Sequence, residues 1–299
     1  EFREWVLLQN ISSVMLMQMM ILQRLHKVEV FLLQHVELVF LDQLLCHALL
    51  WLGFSHRSLI RLYHSKKVSM QKDLTHTPIL VTGAAGFIGA HVAVRLRALG
   101  HDVVGCDNFN SYYDPALKRA RVRHLLGPAG VACEKVDVAD DDALRSLFER
   151  HRPRLVLHLA AQAGVRHSIT HPQDYVAANL VGFGNLLEAC RHGGVQHLVF
   201  ASSSSVYGAR TDAPFRESDP TDAPISFYAA TKKANEAMAH AYAHVHALRS
   251  TGLRFFTVYG PWGRPDMAYF SFAEKLARGE PLPVFAGGEL LRDFTYIDD

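Results

Sequence analysis

A strand, a glycine-rich turn and a helix follow one another in the segment Ile79-Leu80-Val81-Thr82-Gly83-Ala84-Ala85-Gly86-Phe87-Ile88-Gly89. This order is typical of a turn that binds a pyrophosphate at a helix N-terminus, where backbone N–H groups and the helix dipole favour an anion. The spacing is G-x-x-G-x-x-G rather than G-x-G-x-x-G, but the flanking strand and helix are the required context. Contacts to a dinucleotide are therefore predicted for Gly83, Gly86, Phe87, Ile88 and Gly89.

Short apolar runs alternate with longer helical patterns from Pro78 onward, which predicts βαβ units and a parallel sheet. The predicted strands are 79–82, 102–106, 131–136, 155–159, 197–201 and 252–257. The predicted helices are 88–98, 115–126, 140–149, 172–192 and 226–248. The sequence therefore predicts an α/β fold, with a doubly wound parallel sheet of the Rossmann type over most of residues 77–299.

The first 76 residues differ in composition from the rest, with no glycine before Gly53 and no proline before Pro78. Charged residues and histidines interrupt the apolar stretch 28–54, which therefore lacks the run of about 18–20 apolar residues that a spanning helix needs. Residues 1–76 are interpreted as a helical extension of doubtful origin. Three alternatives stay open: non-native or mis-assigned sequence ahead of Met70, an accessory helical segment, or a membrane anchor.

Charge and cysteine usage narrow the function classes. The chain has 31 Lys and Arg against 29 Asp and Glu, so it has no basic excess with which to neutralise nucleic-acid phosphates. The four cysteines form no C-x-x-C pair, and the 18 histidines are scattered. Neither a metal site nor nucleic-acid binding is predicted, and a reducing, cytoplasmic location fits best.

Three strand ends are predicted to border the dinucleotide, because ligands of doubly wound sheets bind beyond the carboxyl ends of the strands. Asp107 ends the second predicted strand, where a carboxylate binds ribose hydroxyls and disfavours a 2′-phosphate. NAD is therefore predicted rather than NADP; the alternative is that Asp107 merely begins a loop. The other residues predicted to bind the cofactor are Asn108, Asp137, Val138, Leu159, Ala160 and Ala161.

Tyr228 and Lys232 are four residues apart, so on a helix they share a face. An ammonium group near a phenol lowers the phenol's pKa from its usual value near 10 and favours a base. Most Y-x-x-x-K sequences are ordinary helix surface. The functional interpretation gains weight from the segment Ala201-Ser202-Ser203-Ser204-Ser205-Val206-Tyr207-Gly208, whose hydroxyls follow the fifth predicted strand.

Four motifs in this order, T-G-A-A-G-F-I-G, H-L-A-A-Q, S-S-S-S-V-Y-G and Y-A-A-T-K, resemble the extended short-chain dehydrogenase/reductases over about residues 78–299. Segments 107–114, 257–268 and 292–299 resemble the UDP-glucuronate 4-epimerases within that family. Members of the family normally continue for some tens of residues beyond R-D-F-T-Y-I-D-D. The smaller, substrate-binding region at about 255–299 is therefore expected to be truncated.

The resemblance implies a reaction and a set of site residues. Ser203, Tyr228 and Lys232 would be catalytic, with Tyr228 and Lys232 also contacting NAD. Tyr228 would take the C4 hydroxyl proton of UDP-glucuronate while hydride passes to NAD, and reduction of the 4-keto sugar on its other face would give UDP-galacturonate. The candidates for substrate contact are Ser204, Ser205, Asn179, Thr257, Arg264 and Arg292.

The resemblance also orients the substrate. Arg264 and Thr257 would lie near the sugar carboxylate and Arg292 near the diphosphate. The alternative is that these arginines form surface ion pairs with Asp266 or Asp293. His158 and His167 are interpreted as packing or supporting residues.

Other functions stay open at this point. Related 4,6-dehydratases carry Asp-Glu where this chain has Ser204 and Ser205, and hydroxyls can bind a carboxylate but cannot readily eliminate water. A decarboxylase, another epimerase and a non-catalytic NAD-binding protein are the remaining alternatives. Members of the family often dimerise through two long helices, so the resemblance implies a possible homodimer through helices 172–192 and 226–248, although their apolar faces could equally belong to the core.

Overall fold

A computed structural model describes residues 77–283 and 293–299 of the chain. The predicted extension 1–76 and the predicted substrate residue Arg292 lie outside these residues. No helix in the described part of the chain combines the length and apolarity needed to cross a bilayer.

The six predicted strands form one fully parallel sheet, in the order β3-β2-β1-β4-β5-β6. This order reverses at β1, as in a doubly wound Rossmann sheet, so the prediction of fold class is confirmed. The strands are β1 (Pro78–Thr82), β2 (Asp102–Asp107), β3 (Ala132–Lys135), β4 (Leu155–His158), β5 (His197–Ser203) and β6 (Ser250–Phe255).

Helices connect the strands at all five predicted places. They are α1 (Phe87–Ala98), α2 (Pro115–Arg121), α3 (Asp141–His151), α4 (His167–Thr170), α5 (Pro172–Tyr175), α6 (Gly182–His192), α7 (Phe227–His246) and α8 (Ala268–Ala277). Two π-helical turns, Val122–Leu126 after α2 and Val176–Val181 between α5 and α6, interrupt helices predicted as continuous. The sequence did not predict α4 or α8.

The sheet separates two apolar cores, because neighbouring residues of a strand point to opposite faces. Leu80 and Val104 belong to one core, and Ile79, Val81 and Val103 belong to the other. Helices α3, α6 and α7 cover the first face, while α1 and the π-helical turn after α2 cover the second. Burial on both faces leaves the carboxyl ends of the strands as the edge where side chains meet a ligand.

A second, two-stranded sheet follows the large one. It pairs β7 (Thr257–Tyr259) in parallel with β8 (Phe294–Tyr296), and the N–H of Thr257 donates to the Asp293 carbonyl at 3.3 Å. The prediction of one strand over 252–257 was therefore wrong at its end, because β6 stops at Phe255 and Thr257 pairs with a different partner. Thr257 thus belongs to the smaller region rather than to the Rossmann sheet.

Candidate active site

The glycine-rich turn lies between β1 and α1 and is shaped by close backbone contacts. Gly83 has a φ of 71°, and a Cβ at Gly83 would lie 2.6 Å from the Ala160 nitrogen. A Cβ at Gly89 would lie 2.1 Å from the Gly83 carbonyl oxygen. Side chains are therefore excluded at both positions, as predicted. Gly86, the N-cap residue of α1, provides no side-chain cap, so the amides at the start of the helix are open to an anion.

Asp107 is buried at the carboxyl end of β2, where its position was predicted. Its Oδ1 atom accepts hydrogen bonds from the Phe109 N–H at 2.8 Å and from Lys118 Nζ at 3.2 Å. Lys118 is itself buried and also donates to Asn110 Oδ1 at 2.9 Å. Sequence reasoning missed Lys118, because nothing in the order of residues on α2 shows that its amine reaches back to β2.

The end of β3 joins the end of β2 through side chains. Asn108 donates from Nδ2 to Asp137 Oδ2 at 2.9 Å, and Asp137 Oδ1 accepts from the Ala139 N–H at 2.9 Å. Val138, which follows, is buried, and its carbonyl accepts from Asn185. The predicted cofactor residues Asn108, Asp137 and Val138 therefore form one hydrogen-bonded border beside Asp107.

The segment after β4 lies against the glycine turn. The Leu159 N–H donates to the Thr82 carbonyl at 3.1 Å, and the Ala160 N–H donates to Thr82 Oγ1 at 3.2 Å. Ala161 follows them and is half-buried. These three residues, predicted to border the middle of the dinucleotide, are thus held beside Gly83.

Arg121 ties the glycine turn to the loop after β7. Its guanidinium is fully buried and donates to the carbonyls of Ala85 at 3.1 Å, Trp262 at 2.9 Å and Gly263 at 3.2 Å, and to Tyr113 Oη at 2.7 Å. All four acceptors are neutral, and no carboxylate among residues 77–283 and 293–299 forms an ion pair with Arg121. A buried cation without an anionic partner behind a phosphate-binding turn is suited to a bound anion.

The three predicted catalytic residues come together at the carboxyl end of β5. Ser203 is the last residue of that strand, and its Oγ accepts from Ser205 Oγ at 2.9 Å. Against the effect of burial, Ser203 lowers the pKa of the Tyr228 hydroxyl, and Lys232 Nζ donates to the Ala201 carbonyl at 3.0 Å. Ser204 and Ser205 form a short 3-10 turn directly after Ser203.

Burial, Ser203 and Arg264 all act on the pKa of Tyr228. Burial raises this pKa, while hydrogen bonding to Ser203 and the charge of Arg264 act in the opposite direction. Lys232 is also buried, and burial lowers the pKa of its amine to about 8. Its ammonium donates to the Ala201 carbonyl, and the effect of Lys232 on the pKa of the phenol stays a prediction.

A half-buried ion pair holds the serine segment in place. Glu236 on α7 accepts from Ser202 Oγ at 2.5 Å and forms a two-point pair with Arg254 at 2.9 and 3.0 Å. Arg254 also donates to Tyr207 Oη at 3.1 Å, so the pair joins β5, β6 and α7 around the reactive serine. The pKa of Glu236 is lowered by these hydrogen bonds even though burial opposes the shift.

Asn179 lies in the scaffold rather than at a position for substrate contact. It is 2% exposed, its Oδ1 accepts from the Gln162 N–H at 2.8 Å, and its Nδ2 donates to the Gln162 carbonyl at 3.0 Å and to Thr231 Oγ1 at 3.1 Å. The interpretation of Asn179 as a substrate residue is therefore corrected. Its amide instead fixes the loop after β4 to α7.

Arg264 lies in the loop after β7, and its charge acts to lower the pKa of Tyr228. It forms a two-point ion pair with Asp266, with Nε to Oδ1 at 3.0 Å and Nη2 to Oδ2 at 2.5 Å. The structure therefore contains this ion pair, and substrate contact by Arg264 stays a prediction. Thr257 lies at the start of β7.

His158 is a buried packing residue beneath the turn, as predicted. Its Nδ1 hydrogen-bonds Thr82 Oγ1 at 2.7 Å, and its ring packs against Phe183 at 5.5 Å. Thr82 Oγ1 also accepts from the Ala160 N–H at 3.2 Å, so this hydroxyl joins the His158 ring to the segment after β4. Burial, with a smaller contribution from the charge of Lys232, lowers the pKa of His158 to about 3.

This burial predicts a loss of stability in acid. Between pH 6.5 and about 3, an unfolded chain takes up a proton at His158 that the folded protein does not, so stability is fully present above pH 6.5 and falls below it. The free energy of unfolding should fall by up to about 1.4 kcal/mol per pH unit from this group. Urea unfolding from pH 7 to 4.5 should show a shallower slope for His158→Gln than for wild type. The exposed His240→Gln should keep the wild-type slope, and equal slopes for all three proteins would contradict the prediction.

No cluster of three or more histidine, cysteine or acidic side chains suited to a metal ion occurs in the part of the chain that the structure describes.

Comparison with protein families agrees with this geometry. The model of the NAD dependent epimerase/dehydratase family matches residues 79–299, from β1 to the end of the chain. The chain belongs to this family. The matched range contains the glycine turn, the serine segment and the Tyr228–Lys232 pair.

Individual members of the family are similar in sequence to this chain over the same region. UDP-glucuronate 4-epimerase 1 of Arabidopsis thaliana is 55% identical over 225 residues, which cover 74% of this chain and 52% of the relative. Protein CapI of Staphylococcus aureus is 52% identical over 221 residues, which cover 74% of this chain and 66% of the relative. The chain spans about half the length of the Arabidopsis relatives it matches.

Solved structures of the same family have the same fold. The UDP-glucuronic acid 4-epimerase of Bacillus cereus, in complex with UDP-glucuronic acid and NAD, has a TM-score of 0.69 and 38% identity, covering 74% of this chain and 70% of that one. The UDP-glucose 4-epimerase of Thermotoga maritima with UDP-glucose has a TM-score of 0.67 and 32% identity at the same coverage.

Proposed function

We propose that this family member is an NAD-dependent nucleotide-sugar 4-epimerase that interconverts UDP-glucuronate and UDP-galacturonate. The observation that carries the proposal is the meeting of Ser203, Tyr228 and Lys232 at the end of β5, with Arg264 near enough for its charge to act on the pKa of Tyr228. A cation beside the reactive phenol suits a sugar whose carboxylate is attached next to C4. The similarity to the UDP-glucuronate 4-epimerases of Arabidopsis and Bacillus cereus supports the same substrate.

The residues present fit NAD. The turn from Gly83 to Gly89 excludes side chains where a pyrophosphate would approach, and the buried Arg121 behind Ala85 offers a positive charge to it. Both donors to Asp107 use its Oδ1 atom, and we assign Oδ2 to a ribose hydroxyl. When bound, NAD supplies reversible acceptance of hydride from C4 of the sugar.

Tyr228 and Ser203 carry the proton chemistry. Tyr228 Oη takes the proton of the sugar C4 hydroxyl and returns it at the end of the cycle, while Ser203 Oγ holds the same sugar oxygen. Lys232 anchors α7 to β5 through the Ala201 carbonyl and is assigned to the ribose next to the nicotinamide. The charge of Arg264 favours the phenolate of Tyr228 during the transfer.

The serine segment argues against dehydration. Ser205 hydrogen-bonds Ser203, and the carboxylate that contacts this segment, Glu236, is committed to Arg254 with a lowered pKa. An ionised, paired carboxylate is a poor proton donor, so the acid that elimination of water requires is missing from these positions. Ser204 and Ser205 are instead assigned to substrate binding.

The test is NMR of the sugar products after mixing the protein with UDP-glucuronate and, separately, UDP-glucose without added NAD. We expect UDP-galacturonate from the first, and Arg264→Met should lower kcat/KM for UDP-glucuronate by about 100-fold, because two charge-assisted hydrogen bonds are lost. Arg278→Met, directly after α8, also breaks an arginine–carboxylate pair and should leave the rate unchanged. Conversion of UDP-glucose alone, or a pentose product, would contradict the proposed substrate or reaction.

Association with a second copy stays a prediction. Helix α7 exposes Val245 at 67%, and the helical stretch before α6 exposes Val181 at 48%, which supports a contact through these helices.

A cytoplasmic location, and membrane association of residues 1–76, likewise stay predictions from the sequence.

A further inference from the structure

The arginine assigned to the sugar carboxylate already holds a carboxylate of its own chain. Asp266 meets Arg264 at two points, through Nε at 3.0 Å and Nη2 at 2.5 Å. This two-point geometry is the one that an arginine uses for a free carboxylate ligand. Asp266 therefore occupies part of the binding capacity that a uronate would need.

The pair lies where a ligand can reach it. The side chains of Arg264 and Asp266 are 25% and 31% exposed, unlike the ion pair between Lys118 and Asp107, whose side chains are 8% and 6% exposed. Tyr112, which donates to Asp266, and Tyr175 both approach Gly164, and the Tyr175 ring packs on that of Tyr228 with centroids 6.1 Å apart, so the pair lies near the reactive phenol. An ion pair that is both accessible and next to the reacting group can exchange its anion for that of a substrate.

A tyrosine holds the aspartate in this position. Tyr112 Oη donates to Asp266 Oδ2 at 3.0 Å, and the Arg264 guanidinium lies 5.9 Å from the centre of the Tyr112 ring. The hydrogen bonds and charge of Arg264 lower the pKa of Asp266 against the effect of its burial, and burial raises the pKa of Tyr112 to about 12. At neutral pH the aspartate is therefore ionised and the tyrosine is a donor.

We propose that Asp266 is an internal substitute for the substrate carboxylate, which holds Arg264 until a uronate replaces it. This inference rests on the proposed function. Exchange of one carboxylate for another keeps the guanidinium paired throughout. A neutral hexose has a hydroxymethyl group at this position and cannot replace the charge, so the exchange favours uronates over neutral UDP-sugars.

A different role for the contact between Asp266 and Arg264 predicts the opposite change in uronate binding when the aspartate is removed. If Asp266 only oriented Arg264, so that its remaining N–H groups reached the substrate, loss of the aspartate would weaken uronate binding. If Asp266 competes with the substrate, its loss strengthens that binding. The sign of the change therefore separates the two.

The experiment is calorimetric titration of the NAD-bound protein with UDP-glucuronate and with UDP-glucose, for wild type and Asp266→Asn. Asparagine keeps the shape of the side chain but cannot pair with Arg264 as an anion. We expect the Kd for UDP-glucuronate to fall about fivefold, with the Kd for UDP-glucose changed by less than about twofold. The KM for UDP-glucuronate should fall in parallel, without a rise in kcat, because only the ground state gains affinity.

Two further variants keep the result interpretable. Tyr112→Phe removes one hydrogen bond to Asp266 and should change the Kd in the same direction by a smaller factor. Asp141→Asn breaks an exposed arginine–aspartate pair on α3 and should change neither Kd.

Weaker or unchanged binding of UDP-glucuronate by Asp266→Asn would overturn the inference, as would an equal gain for both sugars. Failure of the proposed function is separate from this, since wild-type protein would then not convert UDP-glucuronate at all.

Discussion

Tyr228→Phe is expected to lower kcat with UDP-glucuronate by about 1,000-fold or more, because a positioned general base typically contributes factors of this size. The loss should fall on kcat rather than on the retention of NAD. The tyrosine ring packs edge to face on Tyr175 with centroids 6.1 Å apart, and phenylalanine preserves that contact. Only the hydroxyl, whose pKa Ser203 and Arg264 lower against the effect of burial, is removed.

The measurement is the initial rate of UDP-galacturonate formation by NMR, with bound NAD quantified from the denatured protein. The matched control is Tyr242→Phe, the same chemical change further along α7, where the hydroxyl bonds Glu188 at 2.7 Å far from the serine segment. The control should keep the wild-type rate. If Tyr228→Phe also kept that rate, the proposed base would be wrong.

Lys232→Met is expected to inactivate the protein and to stabilise it at the same time. Burial lowers the pKa of Lys232 from 10.5 to about 8, so the folded protein binds this proton more weakly than an unfolded chain does. The contribution of the neutral amine to the free energy of unfolding is complete above pH 10.5 and is lost as the pH falls through 8. At pH 7 the buried ammonium therefore destabilises the fold, and methionine of similar shape should add about 2 kcal/mol, after allowing for the lost hydrogen bond to Ala201.

Urea unfolding at pH 7 and pH 10 checks this prediction together with the epimerase rate. The gain in the free energy of unfolding should shrink at pH 10, where wild-type Lys232 has lost most of its charge. Lys233→Met, which alters the neighbouring lysine that bonds Thr221 and pairs with Asp222, should show neither the gain nor the loss of activity. A lower stability of Lys232→Met at pH 7 would contradict the argument.

The large sheet could be predicted because its signals are local. Six apolar runs, separated by five helical patterns, correspond to β1–β6 within a few residues at each end. The turn at Gly83 could be predicted for the same reason, since the strand, the glycines and the helix are consecutive. The serine segment and the pair Tyr228 and Lys232 each lie in one short stretch, so the sequence also predicted their meeting at the end of β5.

What the sequence could not predict depends on contacts between distant residues. Arg121 bonds Gly263, which is 142 residues away, and Asn179 bonds Thr231 across 52 residues. No periodicity records such pairs, and this is why Arg121 was missed and Asn179 was assigned to the substrate. Arg264 shows the same limit, because only the structure indicates that its charge acts on Tyr228.

The buried guanidinium of Arg121 has a consequence for how the fold is completed. Its four acceptors are neutral, so the interior behind the glycine turn carries one positive charge that the described part of the chain does not balance. Burying an unbalanced charge opposes folding, and an anion bound in the turn relieves that cost. Folding and the binding of a pyrophosphate are therefore thermodynamically linked, because each process makes the other more favourable. Arg121 also donates to the carbonyls of Trp262 and Gly263, so the same linkage includes the loop that carries Arg264. A protein molecule that retains its dinucleotide therefore also keeps this loop assembled between one substrate and the next.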